Sequence, residues 1–127
     1  MDINKISTKV LKEIKENQEG FSKDFFTLED IKKGYAVSIT NRAVIKERLN
    51  ENIIKDIYFN YINLLSDITI NLNSSLFKVS LGYWLNNNTI YLDLTLIFKS
   101  KNSALLFGKV FNQKAIFDLN NLKEIYI

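Results

Sequence analysis

Residues 77–98, FKVSLGYWLNNNTIYLDLTLIF, sort cleanly into two faces if the chain reverses at Asn87-Asn88. Asparagine tolerates positive φ, which a two-residue hairpin turn requires. With that turn, Leu85 faces Ile90, Tyr83 faces Leu92, Leu81 faces Leu94, Val79 faces Leu96 and Phe77 faces Phe98, so one side is wholly apolar. The other side pairs Trp84 with Tyr91, Gly82 with Asp93, Ser80 with Thr95 and Lys78 with Ile97. A slip of one residue exchanges the two sides, so the register is tightly specified. A four-residue loop over 86–89 preserves the same pairing.

A hairpin with one apolar side needs a partner layer, and the flanking sequence supplies it. Ile3, Ile6, Val10 and Ile14 recur at helical spacing, which predicts an amphipathic N-terminal helix ending near Gly20. Its polar side offers Lys9–Glu13 and Lys12–Glu16 pairs. Phe21, Phe25 and Phe26 read as core plugs beneath a loop, and Thr27-Leu28-Glu29-Asp30 as the cap of a helical turn stopping at Gly34. Residues 35–40 alternate as a strand, with Tyr35, Val37 and Ile39 on one side, whereas residues 41–49 fit no single pattern. From Asn50 the stripe Ile53, Ile54, Ile57, Tyr58, Tyr61, Ile62, Leu65 predicts the main core helix. Ile68, Ile70 and Leu72 suggest a further short strand or an extended connection. After the hairpin, Ser100 or Asn102 caps a short helix, residues 114–119 return as a strand, and a turn at Asn120-Asn121 pairs Asp118 with Lys123 and Ile116 with Ile125.

The expected architecture is therefore α+β: an antiparallel sheet with helices on one face, in the split β-α-β, ferredoxin-like order, preceded by the N-terminal helix. Residues 1–127 make one domain, with a helix over 1–20 and an α+β core over 34–127. A composition 46% hydrophobic and 24% charged suits a chain of this size burying its own core.

Composition also limits the chemistry. Cysteine, histidine and proline are all absent. No disulfide, thiolate nucleophile or imidazole base is available, and catalysis would rest on carboxylates, lysine or tyrosine. No metal or other cofactor is expected. The four glycines, at 20, 34, 82 and 108, form no phosphate loop. The net charge of +3 comes without a basic stripe: residues 1–56 mix 11 basic with 10 acidic side chains, and residues 57–127 carry 6 and 4. Duplex DNA binding by neutralisation of many phosphates is not expected. No run of about 20 apolar residues spans a membrane, and the charged N-terminus lacks a signal-peptide core. The expected location is the cytoplasm. Abundant Ile, Lys and Asn, with their A/T-rich codons, suit a low-GC bacterium or its phage.

Candidate functional residues lie on the polar side of the hairpin. Trp84 and Tyr91 are read either as a stabilising cross-strand pair, as an interface anchor, or as a stacking platform for bases. Asp93 is the only acid in either strand and sits opposite Gly82. Catalysis there would need a second acid, and Asp67 and Asp118 are distant in sequence. Arg42 and Arg48, the only arginines, are a second candidate pair for binding an anion or a carboxylate, against a plain reading as solvated loop residues.

The segments GYAVSI (34–39), LGYW (81–84), IYLDL (90–94) and KAIFDLNNLKEI (114–125) together resemble small uncharacterised proteins of bacterial phages and mobile elements. The resemblance covers roughly residues 34–127 and brings no active site. It implies a non-enzymatic protein that binds a host protein or nucleoprotein complex, such as an inhibitor of a CRISPR nuclease or another defence system. The alternatives are a single-stranded nucleic-acid binder of mobile-element replication and a carboxylate-based enzyme. A homodimer through the aromatic sheet side is also compatible with the sequence.

Overall fold

A computed structural model describes residues 2–17, 19–67 and 76–127. The expectation for Ile68, Ile70 and Leu72 lies outside the described residues. The elements are α1 (Ile3–Glu16), β1 (Phe21–Asp24), β2 (Tyr35–Ser38), β3 (Ala43–Ile45), α2 (Glu51–Asp67), β4 (Phe77–Asn86), β5 (Thr89–Phe98), α3 (Lys101–Val110), β6 (Ala115–Asp118) and β7 (Lys123–Tyr126). Among the described residues the class is α+β, with three helices and a seven-stranded antiparallel sheet ordered β1-β4-β5-β2-β6-β7, in which β3 also pairs with β5.

The β4–β5 hairpin has the register read from sequence at every predicted pair, from Phe77 opposite Phe98 to Asn86 opposite Thr89. Asn87 and Asn88 adopt φ of 50° and 63°, so they form a two-residue turn whose twist matches that of the strands. Leu81, Leu92, Leu94, Leu96 and Phe98 are fully buried on one side of the pleat. Each such side chain contributes about 1.5–3 kcal/mol relative to an exposed one. The C-terminal hairpin also keeps its predicted register, with Asp118 opposite Lys123 and Ile116 opposite Ile125.

Capping explains where the helices begin. The Asp2 carboxylate accepts from the Lys5 amide, the Asn50 side chain from Ile53, and the Ser100 hydroxyl from Ser103. Ile54, Tyr58, Tyr61 and Leu65 form the buried stripe of α2. The Tyr58 ring stacks on Phe25 with centroids 4.5 Å apart. Phe107 of α3 meets Phe98 of β5 at 4.9 Å. The N-terminal helix packs on α2 through Val10 and Ile14, and the Thr8 hydroxyl reaches Glu51.

Residues 21–33 depart from expectation. Phe21 opens a sheet strand, so the α+β core starts before residue 34, and its ring lies 4.8 Å from Tyr83. Phe25 is fully buried, but Phe26 is 45% exposed and plugs nothing. The helical turn expected at 27–30 does not form. The Asp24 carboxylate takes the amides of Phe26 and Thr27, and Leu28 turns the chain back at φ 61°. The chain then returns beside β1, with Ile31 donating to the Ser22 carbonyl at 2.8 Å. Lys23 explains why β1 was hidden: its inward side chain is buried, and its ammonium pairs with Asp30 at 2.6 Å and Glu13 at 3.4 Å. Burial alone would lower the Lys23 pKa. The bond to Asp30 and the charges of Glu13 and Asp30 outweigh it and hold the pKa above the ordinary value. Glu13 thus pairs across the fold, rather than along its helix with Lys9.

Candidate functional site

The pleat that buries the leucines places Ser80, Gly82, Trp84, Tyr91, Asp93 and Thr95 on the opposite side of the hairpin. Strand pairing extends this face sideways. Ser22 lies beside Gly82, Asp24 beside Ser80, Ser38 beside Thr95, and Val44 beside Tyr91. Two regions result: a polar centre of small side chains, and a row Trp84–Tyr91–Val44 crossing three strands.

In that row, the Trp84 and Tyr91 rings stack with centroids 5.1 Å apart and planes 10° from parallel. Both are half-buried, and Val44 is 50% exposed. The Arg42 guanidinium lies over the Trp84 ring, 4.6 Å from its centroid. Arg42 therefore joins the aromatic pair despite a separation of 42 residues from Trp84. Arg48 is exposed, and no contact brings it to the patch.

Arg42 reaches Trp84 because of an irregularity in the sheet. Residues 39–42 span the interval between β2 and β3, while only Asp93 and Leu94 span the matching interval of β5. Two residues are in excess, and they bulge from the ladder as an extended insertion. On the buried side, the Tyr61 hydroxyl fills this gap: it donates to the Leu92 carbonyl at 3.0 Å and accepts from the Ala43 amide. Burial, with the nearby Asp93 charge, pushes the Tyr61 phenol up to about 12.

Asp93 lies at the centre of the same irregularity and is only 5% exposed. Its Oδ2 takes the hydroxyl of Ser38, whereas its Oδ1 is buried without a partner. Desolvation raises its pKa above the usual carboxylate range, and the Ser38 bond, the charge of Arg42 and the Leu94 amide only partly offset that. The Ser80 hydroxyl, diagonal to Asp93 across the hairpin, is also buried and unpartnered. Gly82 leaves clear space beside these groups. A Cβ placed there would meet only Asp93 atoms, at 3.7 and 3.8 Å.

The sheet register separates Asp93 from Asp118. Asp118 pairs with Tyr35, which pairs with Phe98, so it belongs to the leucine side of the pleat. Its carboxylate is occupied by the turn, accepting from Asn120 and Asn121, and these bonds, that of the Asn121 side chain first, depress its pKa. Among the described residues, no group of three or more His, Cys, Asp or Glu side chains converges. A surface cleft of about 400 Å³, lined by Tyr35, Lys101, Asp118, Asn121, Lys123, Glu124 and Ile125, opens near that turn. No helix among the described residues is long and apolar enough to cross a membrane.

Sequence reasoning missed Val44 and Ser38 as members of this face. Both needed the pairing of β3 and β2 with β5, which nothing local in residues 35–45 encodes. Ser80 was visible as a polar-side residue, but its missing partner was not. Compared with protein-family models, with curated proteins and with solved structures, the chain matches none, and the resemblance of residues 34–127 to phage and mobile-element proteins gains no support from them.

Proposed function

We propose that this chain is a non-enzymatic protein-binding module whose contact surface is the sheet face bearing Trp84, Tyr91, Val44 and Arg42. The observation that carries this reading is the Trp84–Tyr91 stack: two large amphipathic rings, half-buried and mounted on a hairpin of two ten-residue strands. Rigid aromatic anchors with an adjacent arginine are the side chains that concentrate binding energy at protein interfaces. A cross-strand pair serving stability alone needs neither Arg42 over the ring nor the exposed Val44 that extends the row.

The scaffold also fits the split β-α-β reading. Across the middle of the sheet the order is β6-β2-β5-β4, with α2 between β2 and β4 in sequence and α3 between β5 and β6. That order supports a ferredoxin-like reading, with β1 and β7 as additions at the edges. The contacts Tyr58–Phe25 and Phe107–Phe98 support helices gathered on the leucine side. The target class, a host defence complex such as a CRISPR nuclease, rests on the resemblance of residues 34–127 alone.

The second reading is single-stranded nucleic-acid binding, favoured by a guanidinium already held over a stacked aromatic pair. Salt separates the two. Nucleic-acid affinity falls steeply as salt rises, whereas an aromatic-centred protein interface responds much less. The test is capture from a lysate of a low-GC bacterium or its phage-infected culture, with and without nuclease treatment, with the wild type beside Trp84→Ala. A stoichiometric protein partner retained at high salt and lost with Trp84→Ala supports the module. Recovery of nucleic acid only, abolished by nuclease, replaces it with the second reading.

A further inference from the structure

We infer that the Asp93–Trp84 corner is a seat for an arginine side chain presented by the partner, taken in exchange for Arg42. This rests on reading the face as a protein-binding surface, and it names what that surface recognises.

The corner already displays guanidinium chemistry. An aromatic face and a carboxylate together suit a planar cation, which stacks on the ring and directs its fork of N–H donors at the oxygens. Arg42 satisfies half of that arrangement. Its guanidinium lies 4.6 Å from the Trp84 centroid and its charge reaches Asp93, yet Asp93 Oδ1 has no donor. The Ser80 hydroxyl, diagonal to it across the hairpin, is equally unpartnered. Two buried polar atoms left unsatisfied on one face form a standing cost that a fork of donors would remove. Room exists over Gly82, where an added Cβ meets nothing but Asp93.

Both unpaired atoms are screened from solvent. A ligand must therefore displace a side chain to reach them, and Arg42 is exposed, adjacent and of the same chemistry. Exchange also avoids placing two cations side by side. A lysine ammonium would bond the carboxylate as a point charge but would lack the planar fork that stacks and spans two oxygens. The occupant is thus an arginine on a partner segment.

The chain has a single tryptophan, Trp84, so its fluorescence reports the seat directly. The probe is N-acetyl-arginine amide, with N-acetyl-citrulline amide as its neutral isostere, titrated into wild type, Arg42→Ala and Arg42→Ala/Asp93→Asn. Arg42→Ala should give a saturable change with the arginine probe, roughly tenfold or more tighter than wild type, as befits a charge-assisted bond made without a competitor. The citrulline probe should be silent, and the double variant should lose the response. Equal titration of wild type and Arg42→Ala, or equal response to the two probes, overturns the seat. The two-probe comparison in Arg42→Ala leaves Asp93 untouched, so it holds whatever Asp93→Asn does to folding. A silent titration beside an intact Trp84-dependent capture refutes the seat and leaves the surface standing. A positive titration without any capture does the reverse.

Discussion

Replacing Tyr61 with Phe removes one oxygen and leaves the ring in place. That oxygen closes the gap between β3 and β5, donating to the Leu92 carbonyl at 3.0 Å and accepting from the Ala43 amide. Without it, two backbone groups in a dry interior lose a partner, which costs about 1–3 kcal/mol. For 127 residues the unfolding entropy is about 0.27 kcal/mol/K, so the melting temperature should fall by about 4–11 °C. Tyr58→Phe is the internal comparison. Its hydroxyl reaches the Phe25 carbonyl only at 3.4 Å, the long end of hydrogen bonding, and its loss should cost under about 1 kcal/mol. Urea unfolding followed by both Trp84 fluorescence and far-UV circular dichroism measures the two, with an unchanged slope showing that only stability moved. Hydrogen exchange at Ala43 should accelerate in Tyr61→Phe alone. If Tyr58→Phe destabilises as much as Tyr61→Phe, the hydroxyl does not hold the gap, and the reasoning fails.

Three further outcomes follow from the same structure. The unfolded Tyr61 phenol ionises near pH 10 and the folded one near about 12, so stability falls as pH rises through that window; alkaline melts of Tyr61→Phe should show a shallower decline. Asp93 has a raised pKa, so the stability it contributes is complete below the ordinary carboxylate value and is lost as pH rises through its folded pKa. Asp93→Asn should therefore match or exceed the wild type in urea at neutral pH and trail it under acid conditions; a deficit confined to neutral pH would contradict this. Gly34 has φ 113°, and a Cβ there would lie 2.8 Å from the Phe98 carbonyl oxygen, so Gly34→Ala should lower stability by about 1–3 kcal/mol or more in the same assay.

What the sequence revealed follows from how local the information was. The hairpin register could be read because ten alternating apolar positions on two adjoining strands vote for one alignment, and the Asn-Asn turn agrees with them. The C-terminal hairpin was legible for the same reason. Strand β1 was not: FSKD shows no alternation, because its inward lysine is satisfied by Glu13 and Asp30 from two other segments. Trp84, Tyr91 and Asp93 could be placed on one face from pairing alone. That Arg42 joins them, and Arg48 does not, depended on two excess residues between β2 and β3, which no period in residues 39–42 announces.

That excess has a consequence for how such a surface can change. Within a regular ladder, deleting one residue inverts every side chain beyond it, so the core resists it. Ile39 is fixed in the core, with its amide on the Leu94 carbonyl, but residues 40–42 are under no such constraint. They are an adjustable spacer whose length sets how far Arg42 projects over the tryptophan, while the hairpin beneath stays in register. Substitutions and single-residue length changes there can retune what the face accepts without reopening the leucine core. A protein under pressure to follow a changing partner would find its cheapest variation in that short stretch.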